Sequence, residues 1–267
     1  MPTTPAKNLL YRAALPILAP HSRGQMTHHV FGHPLTTLPN YERILAKHHV
    51  FGASLLLQDG ANCALCDTST ANPEHLAQEN TLYRVASITK MATALVTLRC
   101  IDNGLFALDS EAASLLPDGE KTPALSGVTV RQLLCHTSGL RDLPILDDCL
   151  KEGKPYTELL RQPEIRACAP GQQLIYSNFG FGLLGCILEQ QTGLCIEPLF
   201  QEMLFRPLHM RSTLDASTLN EAEIMPITRV LPYRAGQELR VTALGRHPLQ
   251  KPNPLCHYGH TAGAMYT

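Results

Sequence analysis

The 267-residue chain has no tryptophan, only 6% aromatic residues and no prevailing sign of charge: 22 Lys and Arg stand against 23 Asp and Glu. So even a balance gives no electrostatic footprint for nucleic acid or an anionic membrane surface. No uninterrupted run of 18 apolar residues occurs, so no membrane-spanning helix is predicted. Near the N-terminus the apolar stretch Leu9 to Ala19 is broken by Arg12 and Pro16, and no small-x-small cleavage site follows it. The nine cysteines are odd in number and lack framework spacing. They argue against a disulfide scaffold and for a reducing, cytoplasmic setting. Cys100, Cys135 and Cys186 sit in apolar patterns and are expected to be small buried hydrophobes.

What is present is ordinary globular composition, 44% hydrophobic and 17% charged. A chain this long buries roughly 70–75% of its unfolded surface. Residues 1–40 show no clear periodicity and are expected to form an arm or leader, with the folded domain spanning 41–267. Tyr41–His49 could be a short helix. Val50–Gln58 is apolar and ends at Asp59-Gly60, which predicts strand, turn and second strand. From Ser87, apolar residues at Ile88, Met91, Ala92, Leu95, Leu98 and Ile101 follow a helical face, which Asn103-Gly104 ends. Thr129 is a candidate N-cap for Val130–Leu134. Further helices are predicted over about Phe179–Gln191, stopped at Thr192-Gly193, and over Ile196–Phe205. Past residue 212, prolines at 226, 232, 248, 252 and 254 point to loops and short edge strands.

Ser87-Ile88-Thr89-Lys90 is the pattern with the most chemistry in it. Residues three apart on a helix share a face. A serine in the first turn feels the positive end of the helix dipole, and burial disfavours the charged form of a neighbouring lysine. The pair can therefore make an activated nucleophile without a histidine. Alone, S-x-x-K recurs by chance roughly once in a chain this long, and a capping Ser with a surface Lys explains it better. Here it is the only such pattern, and it opens the best amphipathic helix. Tyr176-Ser177-Asn178 follows a Pro-Gly turn, Tyr176 lying 89 positions after Ser87. A tyrosine phenolate stabilised by an ammonium can act as general base, and an Asn amide offers both a donor and an acceptor.

Three segments in order, TLYRVASITKMATALVTLRCIDNGLFALDS, VTVRQLLCHTSGL and PGQQLIYSNFGFGLLGCILEQQTG, resemble the serine β-lactamase-like superfamily. The similarity is greatest to the branch of class C β-lactamases, D-Ala-D-Ala carboxypeptidases and related esterases and acyltransferases. The resemblance implies an α+β, β-lactamase/transpeptidase-like fold: an antiparallel sheet packed with helices beside a mainly helical region. It implies Ser87 as acylated nucleophile, Lys90 as its proton partner, Tyr176 as general base and Asn178 as a substrate-positioning group. His136-Thr137-Ser138-Gly139-Leu140 matches a segment that is structural in the family, so His136 is assigned no catalytic role.

The family's third motif, Lys-Thr-Gly or His-x-Gly on a strand that supplies one of two oxyanion N–H groups, has no clear counterpart. Gly259–Gly263 contains a His-Thr pair, but Thr261–Thr267 better resembles the family segment A-G-G-L-x-S-T, which precedes a further helix and strands. The domain is therefore expected to be incomplete at its C-terminus, without those strands. Losing one oxyanion donor lowers rates about 10²–10³-fold in other enzymes. Other signals are discounted. Gly180–Gly185 fits G-x-G-x-x-G, but small residues packing a helix closely account for it better than a dinucleotide site. Cys63-x-x-Cys66 lacks a second pair, Cys256-His257 with His260 lacks a fourth ligand, and the pairs His28-His29 and His48-His49 read as surface residues.

The expectation is a serine hydrolase cleaving a small-molecule ester or amide through a Ser87 acyl-enzyme, with no metal and no organic cofactor. A catalytically impaired or non-catalytic ligand-binding member and an acyltransferase are the alternatives. The sequence leaves the oligomeric state open.

Overall fold

Asp59-Gly60 is where the chain reverses. A computed structural model describes residues 25–31, 44, 52–60, 62–69, 80–117, 119, 122–146, 155–220, 223–225, 228–230, 241–243 and 260–267. The chain divides into two compact units, residues 1–81 with 220–248 and residues 82–219 with 249–267.

The first unit holds strands β1 (Gln25–Phe31), β2 (Gly52–Asp59) and β3 (Asn62–Ser69), all antiparallel, in the order β1-β3-β2. Asp59 pairs with Asn62 across the turn, where Gly60 has φ +57°, a conformation that favours glycine. The predicted strand–turn–strand is thus present. Strand β1 has no precursor in the sequence reading, which saw no periodicity in residues 1–40. Its seven residues pair with β3 from Gln25↔Ser69 to Phe31↔Cys63, so pairing with a partner strand makes it one. Two three-residue strands, β4 (Thr228–Val230) and β5 (Val241–Ala243), form a separate antiparallel pair. Of the helix predicted over Tyr41–His49 only Ile44 is described, and it is helical.

The second unit is helical and is built round one helix. It contains α1 (Thr89–Asp102), α2 (Ala112–Leu115), α3 (Val130–Leu134), α4 (Tyr156–Leu160), α5 (Asn178–Thr192), α6 (Ile196–Phe200) and α7 (His260–Gly263). Helix α5 is buried continuously from Phe179 to Leu188, as a helix apolar on all sides must be. Ser177 caps its start, accepting from the Gly180 N–H at 2.9 Å, and Gly193 at φ +70° ends it. Gly180, Gly182 and Gly185 lie inside this helix, and a Cβ at Gly180 would stand 3.6 Å from the Leu133 side chain of α3. The G-x-G-x-x-G run thus lies within a buried helix. Thr129 caps α3 as predicted, in a reciprocal box with Gln132. Helix α6 continues into a π-helical turn, Gln201–Phe205, and Phe179, Phe200 and Phe205 are wholly buried. Among the described residues no single helix is long and apolar enough to cross a membrane.

Two expectations about burial are corrected. Helix α1 buries only part of the stripe that its periodicity marks: Ala92 is buried and Ile101 partly so, while Ile88, Met91, Leu95 and Leu98 are exposed. It buries Thr89, Lys90, Ala92, Thr93, Val96, Thr97 and Cys100. The threonines can go inside because their hydroxyls are satisfied there. Thr93 Oγ1 donates to the Thr261 carbonyl at 2.7 Å and Thr97 Oγ1 to the Thr93 carbonyl at 2.7 Å. Cys135 is exposed, because α3 ends at Leu134, while Cys100 and Cys186 are buried as expected.

Gly139 (φ +77°) lies in the turn after α3, and a Cβ there would come 2.2 Å from the Cys168 carbonyl oxygen. Backbone strain and a clash with backbone add, so Gly139→Ala is expected to destabilise the protein by roughly 2–4 kcal/mol. Urea unfolding checks this.

Candidate active site

Ser87 lies in the single 3-10 turn Ala86–Ile88 that leads into α1, and Ala86 before it has φ +47°. A non-glycine residue in that region costs of order 1–3 kcal/mol and persists only when its surroundings enforce it. Here they do so through the end of the chain. Val85 N–H donates to the Met265 carbonyl at 3.0 Å, Tyr83 N–H to Thr267 at 2.9 Å, and Thr267 N–H back to Tyr83 at 3.1 Å. The hydroxyl that follows this strained residue is exposed, while Lys90, one turn on, is only 7% exposed.

Three oxygens surround Lys90 Nζ: the Ala262 carbonyl at 2.7 Å, Asn178 Oδ1 at 2.8 Å and Ser87 Oγ at 3.3 Å. The set matches the three N–H bonds of an ammonium. The rings of Tyr176 and Phe181 add their faces, with centroids 4.7 Å and 5.6 Å from Nζ. Tyr176 reaches over the same group, its hydroxyl donating to Ser87 Oγ at 2.7 Å. Burial raises the Tyr176 phenol, but hydrogen bonding to Lys90 and Ser87 and the Lys90 charge outweigh it and hold the phenol below its ordinary value of 10.0. The structure thus brings all four residues singled out in the sequence, Ser87, Lys90, Tyr176 and Asn178, into one cluster.

Tyr176 and Asn178 are placed by the segment after α3. The His136 carbonyl accepts from Ile175 N–H at 2.7 Å, and the Thr137 carbonyl from Gly171 N–H at 2.7 Å. His136, itself at φ +57°, accepts from Ser177 N–H at Nδ1 (3.1 Å), and its ring lies against Tyr176 with centroids 4.4 Å apart. That bond requires an unprotonated Nδ1. Burial first and the Lys90 charge second lower the His136 value, against the opposing pull of Asp142. The His136 ring thus packs against Tyr176 while its Nδ1 holds the Ser177 backbone.

The sequence reading missed two participants. One is the Ala262 carbonyl, which a sequence pattern cannot mark because every residue has one. The other is Asp142, whose carboxylate accepts from Asn178 and Phe179 at the start of α5. Its bonds span 36 and 37 positions, so no local spacing reveals it. The His260-Thr261 pair does not stand on a strand: His260–Gly263 is helix α7, and Thr261 Oγ1 donates to the Phe181 carbonyl at 2.7 Å. Among the described residues no cluster of His, Cys, Asp and Glu could hold a metal ion. Cys256, His257, His48 and His49 lie outside the described residues.

This fold agrees with what the chain resembles. Residues 40–253 match the model of the Beta-lactamase family, and the chain belongs to that family. Over 146 residues it is 30% identical to the D-alanyl-D-alanine-carboxypeptidase/endopeptidase AmpH of Escherichia coli, covering 51% of this chain and 37% of that protein. Over 157 residues it is 32% identical to the monacolin J acid methylbutanoyltransferase of Aspergillus terreus, covering 49% of this chain and 37% of the relative. Among solved structures, a class C β-lactamase mutant superposes with a TM-score of 0.64 at 21% identity, over 85% of this chain and 58% of that one. The fold is therefore of the β-lactamase/transpeptidase type. The aligned regions span 37% of the length of these two curated relatives.

A lowered His136 value has a consequence for stability. The unfolded chain protonates near the ordinary 6.5, so the contribution of the neutral ring is fully present above that pH. As pH falls below it the unfolded state takes up the proton first, and stability is lost until the lower folded value is passed. Urea midpoints are expected to drop as pH falls below the ordinary 6.5, and His136→Gln is expected to flatten part of that slope.

Proposed function

We propose that the protein is a serine hydrolase or acyltransferase that forms an acyl-enzyme at Ser87. The observation that carries the reading is the 2.7 Å contact of the Tyr176 hydroxyl with Ser87 Oγ, beside a buried lysine 3.3 Å from the same oxygen. In its phenolate form Tyr176 accepts the Ser87 proton as Oγ bonds to the carbonyl carbon of an ester or amide. The Lys90 ammonium favours that phenolate electrostatically. Collapse of the tetrahedral adduct breaks the bond to the leaving group, which takes the proton back from Tyr176 and leaves acyl-Ser87. A second nucleophile then removes the acyl group by the reverse sequence. Asn178, bound to Lys90 and standing at the rim of the same cluster, is the group suited to position the substrate.

The relatives differ in the second step. AmpH is named for peptide cleavage, and the Aspergillus protein for transfer of an acyl group to an acceptor. Both outcomes use the same acyl-enzyme, so water and a hydroxyl-bearing acceptor compete for one intermediate. Ester or amide substrates of modest size fit either outcome.

Mass spectrometry after exposure to a β-lactam or an activated ester is the test. The expected result is a single adduct on Ser87, absent in Ser87→Ala and formed roughly 10²–10⁴-fold more slowly in Tyr176→Phe. Lack of an adduct on the wild-type chain, or an adduct on another residue, would overturn the proposal. Product analysis with and without an added alcohol separates hydrolysis from transfer.

A further inference from the structure

We propose that Asp142 is a positioning residue for this site, acting through Asn178; the inference rests on the acyl-enzyme reading above. Its carboxylate receives four hydrogen bonds from three consecutive residues. Oδ1 accepts from Phe179 N–H at 2.9 Å and from the Ser177 hydroxyl at 3.3 Å. Oδ2 accepts from Asn178 N–H at 3.1 Å and from the Asn178 side-chain Nδ2 at 2.7 Å.

The two backbone bonds are a helix cap. The first N–H groups of any helix lack partners within it, and a carboxylate at that end is favoured by the dipole. Any acceptor of the right reach could supply them. The bond to Nδ2 does something a cap does not. A carboxylate can only accept and an ammonium can only donate, whereas an amide has one end of each kind. Asn178 lies between the two, Nδ2 on Asp142 and Oδ1 on Lys90 Nζ at 2.8 Å. In this orientation both contacts are attractive. Turned over, the amide would set oxygen against carboxylate and N–H against ammonium, and both would be repulsive.

Asp142 therefore decides which end of Asn178 faces the lysine. It also keeps one of the two acceptors, Asn178 Oδ1 and the Ala262 carbonyl, that hold Nζ beside Ser87 Oγ. Misplacing a reacting group by about an ångström can cost 10²-fold in rate. Loss of Asp142 should slow acylation by about 10–100-fold on the same grounds.

A double-mutant cycle separates this role from the cap. Acylation of Ser87 by an activated ester would be timed in Asp142→Ala, Asn178→Ala and the double variant, with unfolding midpoints measured on each. The expected result is that both single variants are slowed and that the double is no slower than Asn178→Ala alone. The midpoint should still fall whenever Asp142 is removed, because the cap is lost in either background. Losses of rate that multiply in the double variant would overturn the proposal.

Asp142→Asn keeps the volume and guards against a variant that fails to fold. A readout independent of turnover is proton exchange at the Asn178 side-chain amide, followed by NMR. Slow exchange in the wild type and fast exchange in Asp142→Asn are expected, and fast exchange in the wild type would sink the idea. If Ser87 takes no adduct while the amide depends on Asp142, the acyl-enzyme reading fails and the positioning of Asn178 stands.

Discussion

A buried ammonium is the constraint round which the helical unit is arranged. A charge taken out of water costs several kcal/mol unless it is paired and hydrogen-bonded. Lys90 meets that demand with oxygens from three places in the chain, at Ser87, Asn178 and Ala262. Each acceptor brings its own segment with it. Ser87 comes with the strained turn before α1, Asn178 with the start of the buried helix α5, and Ala262 with the last described stretch of the chain. Satisfying one cation thus assembles the site, and hydroxyl and phenol are left at the surface above it.

Strain and support are distributed in the same way. Ala86 and His136 both hold positive φ; the His136 carbonyl accepts from Ile175 N–H, and Val85, next to Ala86, donates to the Met265 carbonyl. The helical unit carries the expense of these conformations because its core is large, with α5 sealed by Phe179, Phe200, Phe205 and the leucines around them. A rigid core holding strained residues at one edge is how a fold presents a side chain in a geometry it would not otherwise keep.

Much of this was legible in the residues. The two short motifs carried the four site positions, the hairpin at Asp59-Gly60 was marked by its turn chemistry, and capping residues placed α3 and α5. Periodicity in α1 marked one apolar face, of which Ala92 and in part Ile101 are buried while Ile88, Met91, Leu95 and Leu98 are exposed, because Lys90 and three threonines find their partners inside. Strand β1 exists through its pairing with β3, and Cys135 is exposed because α3 ends before it. The first two errors came from reading a local pattern where a non-local contact decided the outcome.

The amino-acid sequence determined where α3 and α5 start and stop, which hydroxyl, amine, phenol and amide are available, and that Ser87 and Lys90 lie one turn apart. Those properties depend on residues within a turn of one another. Only the tertiary structure decided that Tyr176 stands over Ser87, that Ala262 and Asn178 clothe the lysine, and that Asp142 faces the start of α5. Those contacts join residues from 36 to 172 positions apart, and a charge buried at that range can be satisfied only once the whole core has closed around it.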